Sequence, residues 1–242
     1  GVSCLFSAQV ENVYIICQLA KEVNNKIFTV IGGAHPSAVP EQTLKDKNID
    51  FIIKGDGERA LKNLLECIEH NKEVGTLGGI GFRDNGRIKV NQPDGYNDNN
   101  LDEISFPRWD IFPLEKYFKI NNPHGSPARR TPFLPMITSR GCPFDCIFCS
   151  VHNLWGKKYR KRSAENVLSE IEYIINKFGV KEILFEDDNL TLDKIRAVEI
   201  FSGMIEKKFN LAWSAPNGLA AQTLDNDLLK LMKQSGCYRI NI

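Results

Sequence analysis

No stretch of this sequence approaches the ~18 consecutive apolar residues of a membrane-spanning helix, and no basic-then-apolar leader opens it. An excess of charge is missing too: 31 Lys and Arg stand against 30 Asp and Glu. Chains held to nucleic acid mainly through phosphates are usually strongly basic, so no nucleic-acid partner is expected. Low-complexity tracts are absent, and so are repeats beyond a strand–helix alternation. What remains, 42% hydrophobic and 25% charged residues, is the composition of an ordinary globular protein, with the cytoplasm as its expected location.

Cysteine is plentiful, and its layout is informative. Cys4, Cys17, Cys67 and Cys237 are scattered singly among apolar neighbours, as small buried hydrophobes of a reducing compartment would be. Cys142, Cys146 and Cys149 instead crowd into eight residues. Both ends read as cuts. The chain starts without Met in an apolar run, Gly1 to Phe6, and stops inside another, Tyr238 to Ile242, as expected of a fragment of a longer protein.

The fold class expected is α/β. In residues 1–75, Val2 to Phe6, Ile27 to Ile31 and Phe51 to Ile53 lack polar alternation and read as buried parallel strands. Val13 to Val23 and Ala60 to Ile68 have helical spacing between and after them. That alternation points to part of a doubly wound, Rossmann-like sheet, with Gly32-Gly33 and Gly55-Asp-Gly57 at strand ends, where ligands of such sheets bind. Residues 76–130 read as a linker. It holds a hairpin turned on Asn85-Gly86, a polar stretch from Asn91 to Asp102, and a connector punctuated by Pro107, Pro113, Pro123 and Pro127, with Pro132 just beyond it.

Residues 131–242 return to βα repetition. Strands are expected at Phe133 to Thr138, Glu182 to Phe185, Leu211 to Trp213 and Tyr238 to Ile242. The helix after Ser163 has that residue as N-cap and Gly179 past its end. A second runs from Asp193 to Lys207 with Thr191 as its cap, and a third covers Leu228 to Lys233, closed by Gly236. Four such units suit an open sheet or part of a barrel, and periodicity does not choose. In a barrel the chemistry sits at the carboxyl ends of strands, where the cysteine cluster and Glu186-Asp-Asp188 both fall.

The cluster reads Ser139-Arg-Gly-Cys142-Pro-Phe-Asp-Cys146-Ile-Phe-Cys149-Ser. Thiolates three and four residues apart on a turning loop can converge on one soft metal centre. Three are one short of the usual set for a four-iron cluster, leaving one iron open to a small molecule. Structural zinc with His152 as fourth ligand is the alternative on spacing alone.

With Phe148 before its last cysteine, this Cys-x₃-Cys-x₂-Cys resembles the signature of radical S-adenosylmethionine (SAM) enzymes. Val151 to Ser163 and Phe185-Glu-Asp-Asp-Asn189 further resemble the branch with a cobalamin-binding domain in front. The resemblance implies part of a (βα) barrel in which Cys142, Cys146 and Cys149 hold a [4Fe-4S] cluster. SAM would chelate the fourth iron and be cleaved to a 5′-deoxyadenosyl radical by one electron. It places the adenine near the backbone of Phe148 and the SAM ammonium near Glu186 and Asp187, with Ser214 and Asn217 as weaker contacts. Helix-entry acids favoured by the dipole are the plainer account of Glu186 to Asp188. A glycine-rich segment that the family places after strand four would begin where this sequence stops.

In front, Ser3-Cys-Leu5 and then Gly32-Gly33 resemble the later part of the cobalamin signature, whose small residues line the cavity for the nucleotide tail. Gly55, Gly57 and Glu58 match a further loop of that domain. An Asp-x-His-x-x-Gly element supplying a lower cobalt ligand in some relatives would lie upstream of Gly1. His35 stands where the family has a turn, and His70 and His124 carry no signal. The implied activity is methyl transfer to an unactivated carbon of a small-molecule or lipid-like substrate, with an electron donor such as flavodoxin or ferredoxin. A radical SAM cyclisation or rearrangement, or a non-catalytic metal-binding module, are the alternatives. The basic run Lys157, Lys158, Arg160, Lys161, Arg162 reads as a solvated or substrate-facing loop.

Overall fold

The computed structural model describes residues 1–93, 100–123 and 127–242. His124, and residues 94–99 of the polar stretch read between Asn91 and Asp102, lie outside the described residues. The chain divides into two compact units, 1–98 with 141–158 and 99–140 with 159–242.

In the first unit, β1 (Val2–Ser3), β2 (Val30–Gly32) and β3 (Phe51–Ile53) are parallel neighbours. The side chains of β2 and β3 alternate between two buried faces, while Ser3 of β1 is exposed. Ile31 and Ile52 pack with Val13 and Cys17 of α1 (Val10–Val23), while Val30, Phe51 and Ile53 pack with Leu64 of α4 (Gly57–Glu69). Burial on both faces is why these strands lack polar alternation. Ile27 and Phe28, read as the start of β2, stay outside the ladder and exposed: the Lys21 ammonium at the end of α1 donates to the Ile27 carbonyl at 2.6 Å, and Thr29 is tied to Asp50. Two short helices, α2 (Ala34–Ala38) and α3 (Pro40–Thr43), follow β2.

The hairpin assigned to the linker belongs to this sheet. β4 (Ile80–Asp84) pairs antiparallel with β3, and β5 (Arg87–Val90) pairs with β4, giving the order β1-β2-β3-β4-β5. Ile80 and Phe82 alternate into the core beside Phe51, and this burial overrides the linker reading. Asn85 and Gly86 take the positive φ values, 49° and 81°, of a two-residue hairpin turn.

In the second unit, β6 (Phe133–Met136), β9 (Glu182–Phe185), β10 (Ala212–Ala215) and β11 (Cys237–Ile240) form an all-parallel sheet in the order β11-β10-β9-β6. Strands successive in the βα series lie side by side, as in a growing barrel wall. α7 (Ala164–Phe178), α8 (Lys194–Glu206) and α9 (Asn226–Gln234) connect them. Trp213 is fully buried, stacked on Phe201 at 4.9 Å between ring centroids and edge-on to Phe185 at 5.4 Å. Ser163 caps α7 as expected, accepting from the Asn166 amide at 3.1 Å. The cap of α8 is Asp193, which accepts from the Arg196 amide, and not Thr191, whose hydroxyl is bonded to Thr223. No helix of the described residues is long and apolar enough to cross a membrane.

Candidate cofactor sites

Between β6 and α7 the chain leaves the second unit to form the cysteine loop. Its stems are β7 (Ser139–Arg140) and β8 (Arg160–Lys161), paired antiparallel. Gly141 opens the loop at φ +84°, with the carbonyl oxygens of Gly156 and Lys158 where a Cβ would stand. Cys142 is buried, while Cys146 and Cys149 are exposed in one turn closed by the Cys149 amide on the Cys146 carbonyl at 3.0 Å. No disulfide involves them. Ile147 and Phe148, between the last two thiols, project fully into solvent. Among the described residues no three metal-ligating side chains are gathered closely enough to grip a metal ion by themselves. The donor set nonetheless suits iron: three soft thiols, two of them accessible, within one short loop.

His152, the fourth ligand of the zinc alternative, is otherwise employed. Its Nε2 lies 2.9 Å from the Cys142 carbonyl oxygen, and so is the protonated nitrogen there, while Nδ1 faces Asp145 at 3.8 Å. It belongs to α6 (Val151–Leu154), which packs against α2 within the first unit. A cavity of about 650 Å³ lies there, lined among others by Ser37, Glu41, Lys54, Gln92, His152 and Asn153.

The strand-end residues of the first unit come together. Ser3 pairs with Gly32 in register, and the Ser37 hydroxyl bridges the next two strand ends, donating to the Gly33 carbonyl at 2.8 Å and accepting from the Gly55 amide at 2.9 Å. Gly33, at φ +105°, lies so close to the Cys4 backbone that a Cβ would stand 2.7 Å from its carbonyl oxygen. This glycine is required by the chain itself. Gly32 has only the Ile53 Cβ nearby, at 4.0 Å, so the strand end is bare. Leu5 is exposed, and Gly57 and Glu58 form the first turn of α4. His35 is buried, with Nδ1 2.8 Å from the Ser7 hydroxyl and Nε2 without a partner among the described residues. Bare strand ends beside an orphaned buried nitrogen fit a bulky, polar-edged ligand such as the tail of a corrinoid.

In the second unit, Glu186, Asp187, Ser214 and Asn217 lie at the carboxyl ends of β9 and β10. Glu186 is half-buried, and its carbonyl accepts from the Asn217 amide at 2.8 Å, joining the two strand ends. Ser214 is fully buried. Asp187 is not turned toward a ligand. It is 2% exposed, and its carboxylate accepts from the Thr138 amide (3.1 Å), the Thr138 hydroxyl (2.7 Å) and the Ser139 hydroxyl. Burial pushes its carboxyl above the ordinary range, against the opposing pull of the Arg196 guanidinium and of these bonds. The basic run is solvated only in part, with Lys157, Lys158 and Lys161 exposed. Arg160 and Arg162 are buried, Arg162 pairing with buried Glu170, while Lys157 pairs with Asp145 and Lys161 with Asp193.

Comparison with known proteins finds the B12 binding domain model over residues 1–65 and the radical SAM superfamily model over residues 136–242. This chain belongs to the B12-binding radical SAM family. An uncharacterized methyltransferase of Pyrococcus horikoshii is 33% identical over 241 residues, covering 99% of this chain and 50% of that protein. The cytidylyl-2-hydroxyethylphosphonate methyltransferase of Streptomyces wedmorensis is 32% identical, over 99% of this chain and 48% of that protein. The chain thus spans about half the length of the curated relatives it matches. Among solved structures, the radical SAM methyltransferase TsrM of Kitasatospora setae superposes with a TM-score of 0.76 over 95% of this chain and 43% of that one; at 16% identity this is a likeness of fold.

Proposed function

We propose that this chain is the cofactor-holding part of a cobalamin-dependent radical SAM methyltransferase acting at an unactivated carbon of a small-molecule or lipid-like substrate. One observation carries the reading: within a single compact unit, the cysteine loop packs against the helix that follows Gly32-Gly33, with a cavity beside it. A methyl relay and a radical generator must serve the same substrate, and this packing is the economical way to hold them near one another. Cys142, Cys146 and Cys149 would hold the cluster, leaving one iron for SAM. Ser3, Leu5, Gly32, Gly33, Gly55, Gly57 and Glu58 would line the corrinoid site. Glu186, with Ser214 and Asn217, would receive the polar groups of SAM, a carboxylate being suited to its ammonium, and the backbone at Phe148 its adenine. When bound, the cluster supplies the electron that cleaves SAM and cobalamin supplies the methyl carrier. A flavodoxin- or ferredoxin-class donor would deliver that electron.

Anaerobic reconstitution tests this. Iron and sulfide near four each per chain, retained cobalamin and reductive cleavage of SAM are expected. A colourless protein holding zinc in place of iron and sulfide refutes the reading, and cluster with SAM cleavage but no cobalamin retention moves it to radical cyclisation or rearrangement.

A further inference from the structure

Ile137 to Arg140 carries the chain out to the cysteine loop, and Tyr159 to Arg162 brings it back. A set of buried polar bonds of the second unit converges on these stems. Thr138 gives its amide and hydroxyl to Asp187, and Ser139 its hydroxyl. Arg196, 3% exposed in the first turn of α8, donates to the Thr138 carbonyl at 3.0 Å, the Thr138 hydroxyl at 3.1 Å, the Arg162 carbonyl at 3.2 Å and the Tyr159 hydroxyl at 3.2 Å. Arg162 closes the base, its amide on the Thr138 carbonyl at 2.9 Å and its guanidinium on the Ile137 carbonyl at 3.2 Å. One buried acid from the end of β9 therefore grips the outgoing stem, and one buried cation from α8 grips both. Neither group is needed by the apolar core, and a buried charge is costly unless its bonds are used.

We propose that Asp187 and Arg196 are positioning residues for the iron–sulfur loop, locking its outgoing and returning stems and so fixing where the three thiols are presented. This rests on the cluster reading above and removes Asp187 from the SAM ligands. Apart from these bonds and those of Arg162, the stems pair through a two-residue ladder. A ladder this short is marginal by itself, and these side chains brace it.

The test uses the full-length protein, reconstituted without oxygen, and reads iron and sulfide per chain, the rate of iron release to a chelator well below the melting temperature, and the change in the reduced cluster's EPR spectrum on titration with SAM. Asp187→Asn and Thr138→Val are expected to release iron at least about tenfold faster than the wild type, the scale of losing a hydrogen bond to a buried charge. Thr138→Ser, which keeps the hydroxyl, restores the wild-type rate. Cluster remaining in Asp187→Asn responds to SAM at the wild-type concentration. Wild-type release with a weakened SAM response returns Asp187 to the ligands and overturns the proposal. So does a lowered melting temperature with unchanged release, which makes the network part of the core alone. A wild-type protein that takes up no iron and sulfide is a separate outcome: there the cluster reading itself fails.

Discussion

Replacing Gly141 by Ala isolates what the base of the cysteine loop requires. The residue sits at φ +84°, and its missing Cβ would meet the Lys158 carbonyl oxygen and lie 3.1 Å from that of Gly156. Both obstacles are backbone, so relief means parting the stems. Gly86 is the matched control, with a nearly equal φ of +81° and nothing within 4 Å of its Cβ position. Gly86→Ala therefore bears only the left-handed strain of about 1–2 kcal/mol. Gly141→Ala adds an overpacking cost of about 1–3 kcal/mol. At about 2–4 °C per kcal/mol for a chain of this size, the two variants should melt about 2–12 °C apart. Calorimetry of both proteins reads the difference, and metal analysis after reconstitution should show iron and sulfide lost only from Gly141→Ala. Equal melting temperatures together with equal iron content would refute the close-approach argument.

Other outcomes follow from single features. Burial pushes the Cys237 thiol up to about 11, so at pH 8 about one molecule in a thousand carries the thiolate there. Iodoacetamide on the cluster-free protein at pH 8 should therefore modify exposed Cys146 and Cys149 first, with Cys237 reacting only as the pH approaches 11; peptide mass spectrometry showing equal rates at pH 8 would contradict the burial. Arg162→Met removes the partner of Glu170, a carboxylate 2% exposed, and should cost about 3–5 kcal/mol in urea unfolding. Glu170→Gln on the same background is expected to recover part of that loss. Trp213→Ala empties a site bounded by Phe185 and Phe201 and should cost about 3–5 kcal/mol, whereas Trp213→Phe, which keeps a ring, should cost clearly less.

What could be read from the sequence was what local rules determine. β3 and β9 were located to the residue, because an apolar run between turn residues has only one way to be buried on both faces. The Ser163 cap, the Gly179 stop and the Asn85-Gly86 turn are each chemically specific over a few positions. Misjudged features depended on distant partners. The hairpin was placed in a linker because nothing within Gly79 to Val90 says that β3 offers a free edge. Asp193 and Thr191 are both good caps by residue type, but the helix begins directly after Asp193, and the Thr191 hydroxyl is engaged with Thr223. The family resemblance places both Glu186 and Asp187 at the SAM ammonium and does not tell the two acids apart, yet Thr138, 49 positions away, claims Asp187. Arg160 and Arg162 are hidden in the same way: a basic run looks solvated throughout until two of its members are seen to be buried, Arg162 against Glu170.

Residues 141–158 are compact with the first unit, yet both of their attachment points lie in the second. No single scission of the polypeptide therefore releases either half whole. A piece ending ahead of Phe133 would leave α2 without the helix it packs on, and a piece beginning there would carry the thiols away from their support. Evolution acting on such a chain could exchange neither module freely: a new front domain must also accept the loop lent to it by the domain behind, so the two would have to change together.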